Sequence, residues 1–188
     1  MPKKQHEITI GGYHASRDPL VLRTLLGSCV AVCLHDRQRK IGGMNHILLP
    51  GKADLKHFNQ AARFGANAME LLINRMIRLG GRKERFTAKI FGGGQIMPTI
   101  GDSLATGPKI VAFVREYLQM ESIPLINENT GGTDTRVIFF HTDSGNVFLR
   151  RTPSTMGEMC AVQEKEVLKT LKRLRSETEK LADIQWFR

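Results

Sequence analysis

Two apolar runs, Val30 to Leu34 and Ile41 to Leu49, flank the polar stretch Asp36-Arg37-Gln38-Arg39-Lys40. β-Branched alternation on either side of a short polar turn predicts an antiparallel hairpin, and a hairpin commits the chain to a sheet. With the turn centred between Arg37 and Gln38, Cys29 falls directly opposite His46. Facing residues of an antiparallel pair have Cβ atoms roughly 4.5–5.5 Å apart. A slip of one residue would send the two side chains to opposite faces. A cysteine with a histidine held beside it is the smallest form of an activated nucleophile.

Around the hairpin the chain reads as alternating strands and helices. Ile8 to Ile10 and Leu20 to Leu25 are expected as short strands, broken by Gly11-Gly12 and Asp18-Pro19. Apolar residues at helical spacing predict a helix over about 59–79, with Gly80-Gly81 as its stop. A buried strand over Phe86 to Phe91 runs into Gly92-Gly93-Gly94, and a second helix covers Lys109 to Met120. Leu125 to Ile126, Thr135 to His141 and the segment around Phe148 read as strands, the last two joined by the turn Asp143-Ser144-Gly145-Asn146. From Gly157 onward a helix with six acids and seven bases is expected. The reading is one domain over 1–153 with an appended helix over 154–188.

At 188 residues and 41% hydrophobic composition the chain can bury a full core. No run reaches the roughly 18 apolar residues of a membrane span, and the first residues lack the apolar segment of a signal peptide. A cytoplasmic protein without membrane insertion is expected. Cys29, Cys33 and Cys160 are odd in number and match no zinc spacing, so neither a metal nor another cofactor is called for. Lys plus Arg exceed Asp plus Glu by 28 − 18 = 10, which favours an acidic partner. Arg75, Arg78, Arg82, Lys83, Arg85 and Lys89 form the densest cationic stretch. It reads equally as a docking surface or as a solvated helix end with cations at its negative pole. With 6% aromatics and no zinc finger or RNA-recognition strand, nucleic acid is not the expected partner.

A lone cysteine at the start of an apolar strand is ordinarily a small core residue. Two features argue otherwise for Cys29. Gly27 and Ser28 precede it, permitting a tight turn whose backbone N–H groups converge as an oxyanion hole requires. His46 is predicted beside it, where an imidazole can stabilise thiolate and hand a proton to a leaving amine. A third group should orient that imidazole. Thr24 is the local candidate, with an ordinary β-branched strand residue as the competing reading. Gly92-Gly93-Gly94 lacks the Lys-Ser/Thr ending of a P-loop and the G-x-G-x-x-G spacing. It reads as a place of close backbone approach, at the mouth of a substrate cleft.

At these residues the sequence resembles the CheD family of chemoreceptor glutamine deamidases. The matching pieces are Leu26-Gly27-Ser28-Cys29-Val30-Ala31-Val32, Gly42-Gly43-Met44-Asn45-His46-Ile47-Leu48-Leu49-Pro50, Ala88-Lys89-Ile90-Phe91-Gly92-Gly93-Gly94 and Asn129-Thr130-Gly131-Gly132. His46 stands seventeen residues after Cys29. The resemblance implies an α+β fold, a layered α/β sandwich with stacked mixed β-sheets flanked by helices. It implies hydrolysis of selected glutamine side chains on methyl-accepting chemotaxis receptors, and binding to a CheC-type phosphatase in some members. Carried over, Cys29 is the nucleophile, His46 the acid/base and Thr24 the third member, beside the oxyanion turn read above at Gly27 and Ser28. A non-catalytic adaptor is the alternative. The chain departs from the family in two places. Some members carry the threonine six residues before the cysteine, where Arg23 stands here. Gly107-Pro108-Lys109-Ile110 replaces a common Gly-x-Arg-Asn pattern.

Overall fold

Val30–Asp36 is buried along its whole length, as a strand covered on both faces must be. In a computed structural model describing residues 3–50, 65–95, 106–152, 161–170 and 173, this strand is the middle of the molecule. Val30, Val32 and Leu34 point to one apolar cluster and Cys29, Ala31 and Cys33 to a second. The strand period of two therefore divides the core into two layers.

The strands are β1 (Lys4–Glu7), β2 (Tyr13–Ser16), β3 (Leu20–Leu26), β4 (Val30–Asp36), β5 (Ile41–Asn45), β6 (Phe86–Gly92), β7 (Leu125–Thr130), β8 (Arg136–His141) and β9 (Val147–Arg151). They form two mixed sheets, in the orders β1-β3-β8-β9 and β2-β5-β4-β6-β7. The β1/β3 and β6/β7 pairs are parallel; the others are antiparallel. Helices α1 (Gly65–Arg78) and α2 (Thr106–Met120) cover one face of the five-stranded sheet. Its other face meets the four-stranded sheet through Leu22, Leu26, Met44, Phe91, Ile138 and Phe140. The fold is α+β, a layered sandwich of stacked mixed sheets, with α1 and α2 on one side.

A further helix, α3, spans residues 161–170, and its Val167 and Leu168 pack against the inter-sheet cluster. The expected division at 153/154 falls outside the described residues, as do Cys160 and the start of the helix expected from about residue 59. That helix stops where expected. Gly80 adopts φ +94°, and the N–H groups of Gly80 and Gly81 bond the carbonyls of Ile77 and Met76, closing the last turn.

Two expectations need correction. Ile8 to Ile10 is not a strand: β1 precedes it, and β2 follows the Gly11-Gly12 break. β7 extends to Thr130, because pairing with the buried β6 holds polar residues in the ladder. For the cationic stretch both readings stay open, with three of its six members engaged within the fold. Lys83 pairs with Glu121 at 2.7 Å, Arg85 donates to Gln38 at 2.6 Å, and Lys89 donates to the Gly145 carbonyl at 2.8 Å. Among the described residues no helix is long and apolar enough to cross a membrane.

Candidate active site

The hairpin forms, but its register differs from the expected one. Cys33 pairs with Met44, Leu34 with Gly43 and Asp36 with Ile41, and the bridge Val30–Ile47 continues that spacing. Ala31, not Cys29, is level with His46. The Asp36 carboxylate accepts from the N–H groups of Gln38 and Arg39, so the turn is set nearer Ile41 than the centring assumed. The shift is of two residues, which preserves the face. Cys29 and His46 remain on the inter-sheet side of the five-stranded sheet as diagonal neighbours, a relation that spans roughly 7–8 Å between strands.

His46 is held where the ladder breaks. The Val32 N–H donates to the Asn45 side-chain oxygen at 3.0 Å, and the Asn45 amide donates to the Ala68 carbonyl of α1. Asn45 thus ends β5 by replacing a backbone partner. The His46 N–H donates to the Gly12 carbonyl at 3.0 Å, and its carbonyl accepts from Gly11 at 2.9 Å. Both backbone groups of His46 are satisfied by the turn before β2, which aims the ring between the sheets.

Thr24 reaches the same space from the opposite sheet. Alternation along β3 turns Leu22, Thr24 and Leu26 inward, and Thr24 is buried. Its Oγ1 donates to the Ile8 carbonyl at 2.7 Å and lies 2.8 Å from His46 Nδ1. A hydroxyl has a single proton. With that proton on a carbonyl, which can only accept, Nδ1–H must donate to Thr24. The Nε2 lone pair is left over, and that atom is buried without a hydrogen-bond partner among the described residues. Burial pulls His46 down to about 4, so the ring is neutral at neutral pH. A thiolate–imidazolium pair, the state the sequence suggested, is disfavoured here. The arrangement is that of a neutral base with a defined tautomer.

Cys29 sits at the crossing from β3 to β4, where the chain passes between sheets. The N–H groups of Ser28 and Cys29 both donate to one oxygen, Oε1 of Glu164, at 3.1 and 3.3 Å. The Ser28 hydroxyl donates to the other, Oε2, at 2.5 Å. Two backbone donors converging on one anionic oxygen is the geometry an oxyanion hole requires. Cys29 is 0% exposed and His46 3%. The open crevice expected for a nucleophile is therefore closed in this conformation, with Glu164 of α3 seated against the Ser28–Cys29 turn.

Gly92, Gly93 and Gly94 brace that turn from behind. Gly93 N–H donates to the Cys29 carbonyl and Gly94 N–H to the Gly27 carbonyl, each at 2.8 Å. The glycines are held in turn by the 129–132 segment: Gly131 N–H bonds the Gly92 carbonyl, and Gln95 N–H bonds the Gly132 carbonyl. Buried Arg136 binds the Asn129 carbonyl and side chain at 2.8 and 2.7 Å and the Gly131 carbonyl at 2.5 Å. Cys33 is a core thiol, which burial pushes well up from its ordinary value. Among the described residues no three His, Cys, Asp or Glu side chains cluster as metal ligands would.

Sequence reasoning missed Arg136, Asn45 and Glu164. For Glu164 a signal was available. Ala161, Glu164 and Leu168 follow helical spacing, so an acid stands in the apolar stripe of α3.

The family model described as CheD chemotactic sensory transduction matches residues 48–151, a span that begins after both Cys29 and His46. The chain is 44% identical over 147 residues to the probable chemoreceptor glutamine deamidase CheD of Caulobacter sp. (strain K31), covering 78% of this chain and 77% of that one. It is 44% identical over 151 residues to the protein of the same description from Stenotrophomonas maltophilia (strain K279a), covering 80% and 74%. Among solved structures, Bacillus licheniformis hypothetical protein YfiH is 17% identical with a TM-score of 0.42, covering 70% of this chain and 61% of that one.

Proposed function

The chain belongs to the CheD family, and from that premise we propose that it is a glutamine deamidase of methyl-accepting chemotaxis receptors, converting selected glutamine side chains to glutamate with release of ammonia. Cys29 is the nucleophile. His46 Nε2 takes the thiol proton as sulfur attacks the amide carbon and the S–C bond forms. The C–N bond then breaks, the imidazolium gives its proton to the departing nitrogen, and ammonia leaves a thioester on Cys29. Water attacks the thioester carbon, losing a proton to Nε2. The C–S bond breaks, and the thiol recovers its proton as glutamate is released.

Each group has a reason for its position. Thr24 keeps the proton of His46 on Nδ1, so that the lone pair is on Nε2. General acid–base transfer of this kind contributes typically ~10²–10⁴ in rate. In each tetrahedral stage the negative oxygen lies against the Ser28 and Cys29 N–H groups, where loss of one donor costs about 10²–10³. Gly92, Gly93 and Gly94 act by bracing the turn at the edge of the cleft.

The observation that carries the reading is the convergence of the Ser28 and Cys29 N–H groups on a single carboxylate oxygen. The test is peptide mass spectrometry of a receptor fragment incubated with the protein. Glutamines gaining ~1 Da with one ammonia each are expected from the Cys29 chemistry, and none with Cys29→Ser, which still binds the receptor. A second reading, an adaptor that binds receptors or a CheC-type phosphatase without turnover, is favoured by the complete burial of Cys29. Normal chemotactic adaptation in cells carrying Cys29→Ala would select it. Either role belongs in the cytoplasm.

A further inference from the structure

A carboxylate from the same chain occupies the site. Hydrolysis of a glutamine amide leaves a carboxylate with one oxygen in the oxyanion position and the other where nitrogen was lost. Glu164 places a carboxylate oxygen in the first of those positions. Its Oε1 takes the Ser28 and Cys29 N–H groups and its Oε2 the Ser28 hydroxyl, and its side chain is that of the reaction product. Glu164 is 2% exposed, whereas its neighbours Gln163, Lys165 and Glu166 are exposed. Among the described residues of the helix, Glu164 is the buried charged one. Its described apolar anchorage is slight: Ala161 is buried, Val167 and Leu168 are half-buried, and Val162 faces solvent. A helix whose described contacts are three apolar ones and one carboxylate is displaceable in a way that a core element is not.

We infer that α3 is a tethered product mimic, which keeps the Cys29 site closed until a receptor segment carrying a glutamine displaces Glu164. The inference rests on the deamidase reading and adds self-inhibition at the same site. A competitor of that sort raises the apparent substrate requirement by the reciprocal of the open fraction. It leaves the chemical step, once the site is open, unaltered.

Full-length variants test this. Glu164→Ala is expected to lower KM for a receptor fragment by about 10-fold, as for a closed state ~1.4 kcal/mol below the open one, with kcat unchanged. The exposed neighbour Lys165→Ala should change neither constant. Glu164→Gln puts an amide in the seat. It is expected to convert to glutamate at position 164 with a gain of ~1 Da from the Cys29 chemistry, at a rate independent of protein concentration. The Glu164→Gln/Cys29→Ser double variant should keep its amide. In a wild type that turns over receptors, an unchanged KM in Glu164→Ala or an unconverted Glu164→Gln overturns the inference and leaves the deamidase standing. If wild type and both variants all fail to deamidate receptor, the activity falls and the self-inhibition with it.

Discussion

A β-carbon on Gly92 would stand 2.2 Å from the carbonyl oxygen of Cys29, so the strand behind Cys29 tolerates no side chain there. Gly92 also adopts φ +103°, outside the conformations open to L-residues. Backbone strain and the clash act together, and Gly92→Ala should destabilise the fold by about 2–4 kcal/mol. Because the displaced atom belongs to Cys29, deamidation should be lost even at temperatures where the variant is folded. Thermal unfolding followed by circular dichroism, with an ammonia-release assay on the same sample, checks both outcomes.

Thr24→Val removes the acceptor of the His46 Nδ1–H while keeping the β-branched shape. The stranded buried donor costs about 1–3 kcal/mol of stability. Loss of tautomer control should lower kcat by roughly 10- to 100-fold, one to two decades per 1.4–2.8 kcal/mol, with KM little changed. Thr24→Ser keeps the hydroxyl and should retain most of the rate. Equal rates for the valine and serine variants would remove Thr24 from the machinery.

Burial lowers His46 from 6.5 to about 4, and this ties stability to pH. Between those values the unfolded chain binds a proton that the folded chain does not. The contribution of His46 is therefore fully present above about pH 6.5 and is lost as pH falls towards 4. Its size is on the order of 3 kcal/mol, at 1.36 kcal/mol per unit. Urea unfolding of wild type and His46→Gln across this range is the measurement. The stability difference between the two proteins should shrink as pH falls, and a difference independent of pH would contradict the assignment.

Arg136 binds three backbone carbonyls and the Asn129 side chain through one guanidinium. The 129–132 segment it holds bonds the Gly92–Gln95 strand end, which in turn bonds the Gly27–Cys29 turn. Arg136→Lys lacks the planar fork and should lose ~1.5–3 kcal/mol of stability, the range for hydrogen bonds to a charged group. Amide exchange should quicken at Gly93 and Gly94, whose N–H groups report the brace. Unchanged protection at those amides would show that Arg136 stabilises only its own loop.

What was legible in the chain were properties written at local spacing. The run Val30 to Leu34, a polar turn and a second run make a hairpin wherever they are placed, and Gly80-Gly81 stops a helix by backbone freedom alone. The Gly-Ser step before Cys29 and the seventeen-residue interval to His46 marked the candidate pair. The register between them was not legible, since the side chain of Asp36 set the turn and Asn45 replaced a ladder bond. Those are contacts across a turn and to a helix, not periodicities. Even so, the two-residue difference preserved the face, because strand parity has only two values.

The tertiary structure alone decided the electrostatics of the site. Thr24 comes from one sheet, His46 from the other and Glu164 from a helix more than a hundred residues later. Linear distance gives no measure of which of eighteen acidic residues will lie against two N–H groups. The chain encodes which groups are candidates; packing the two sheets and α3 together lowers the pKa of His46 and buries Cys29. Desolvation, hydrogen-bond direction and the seat of a charge are properties of neighbours in space, and only folding supplies them.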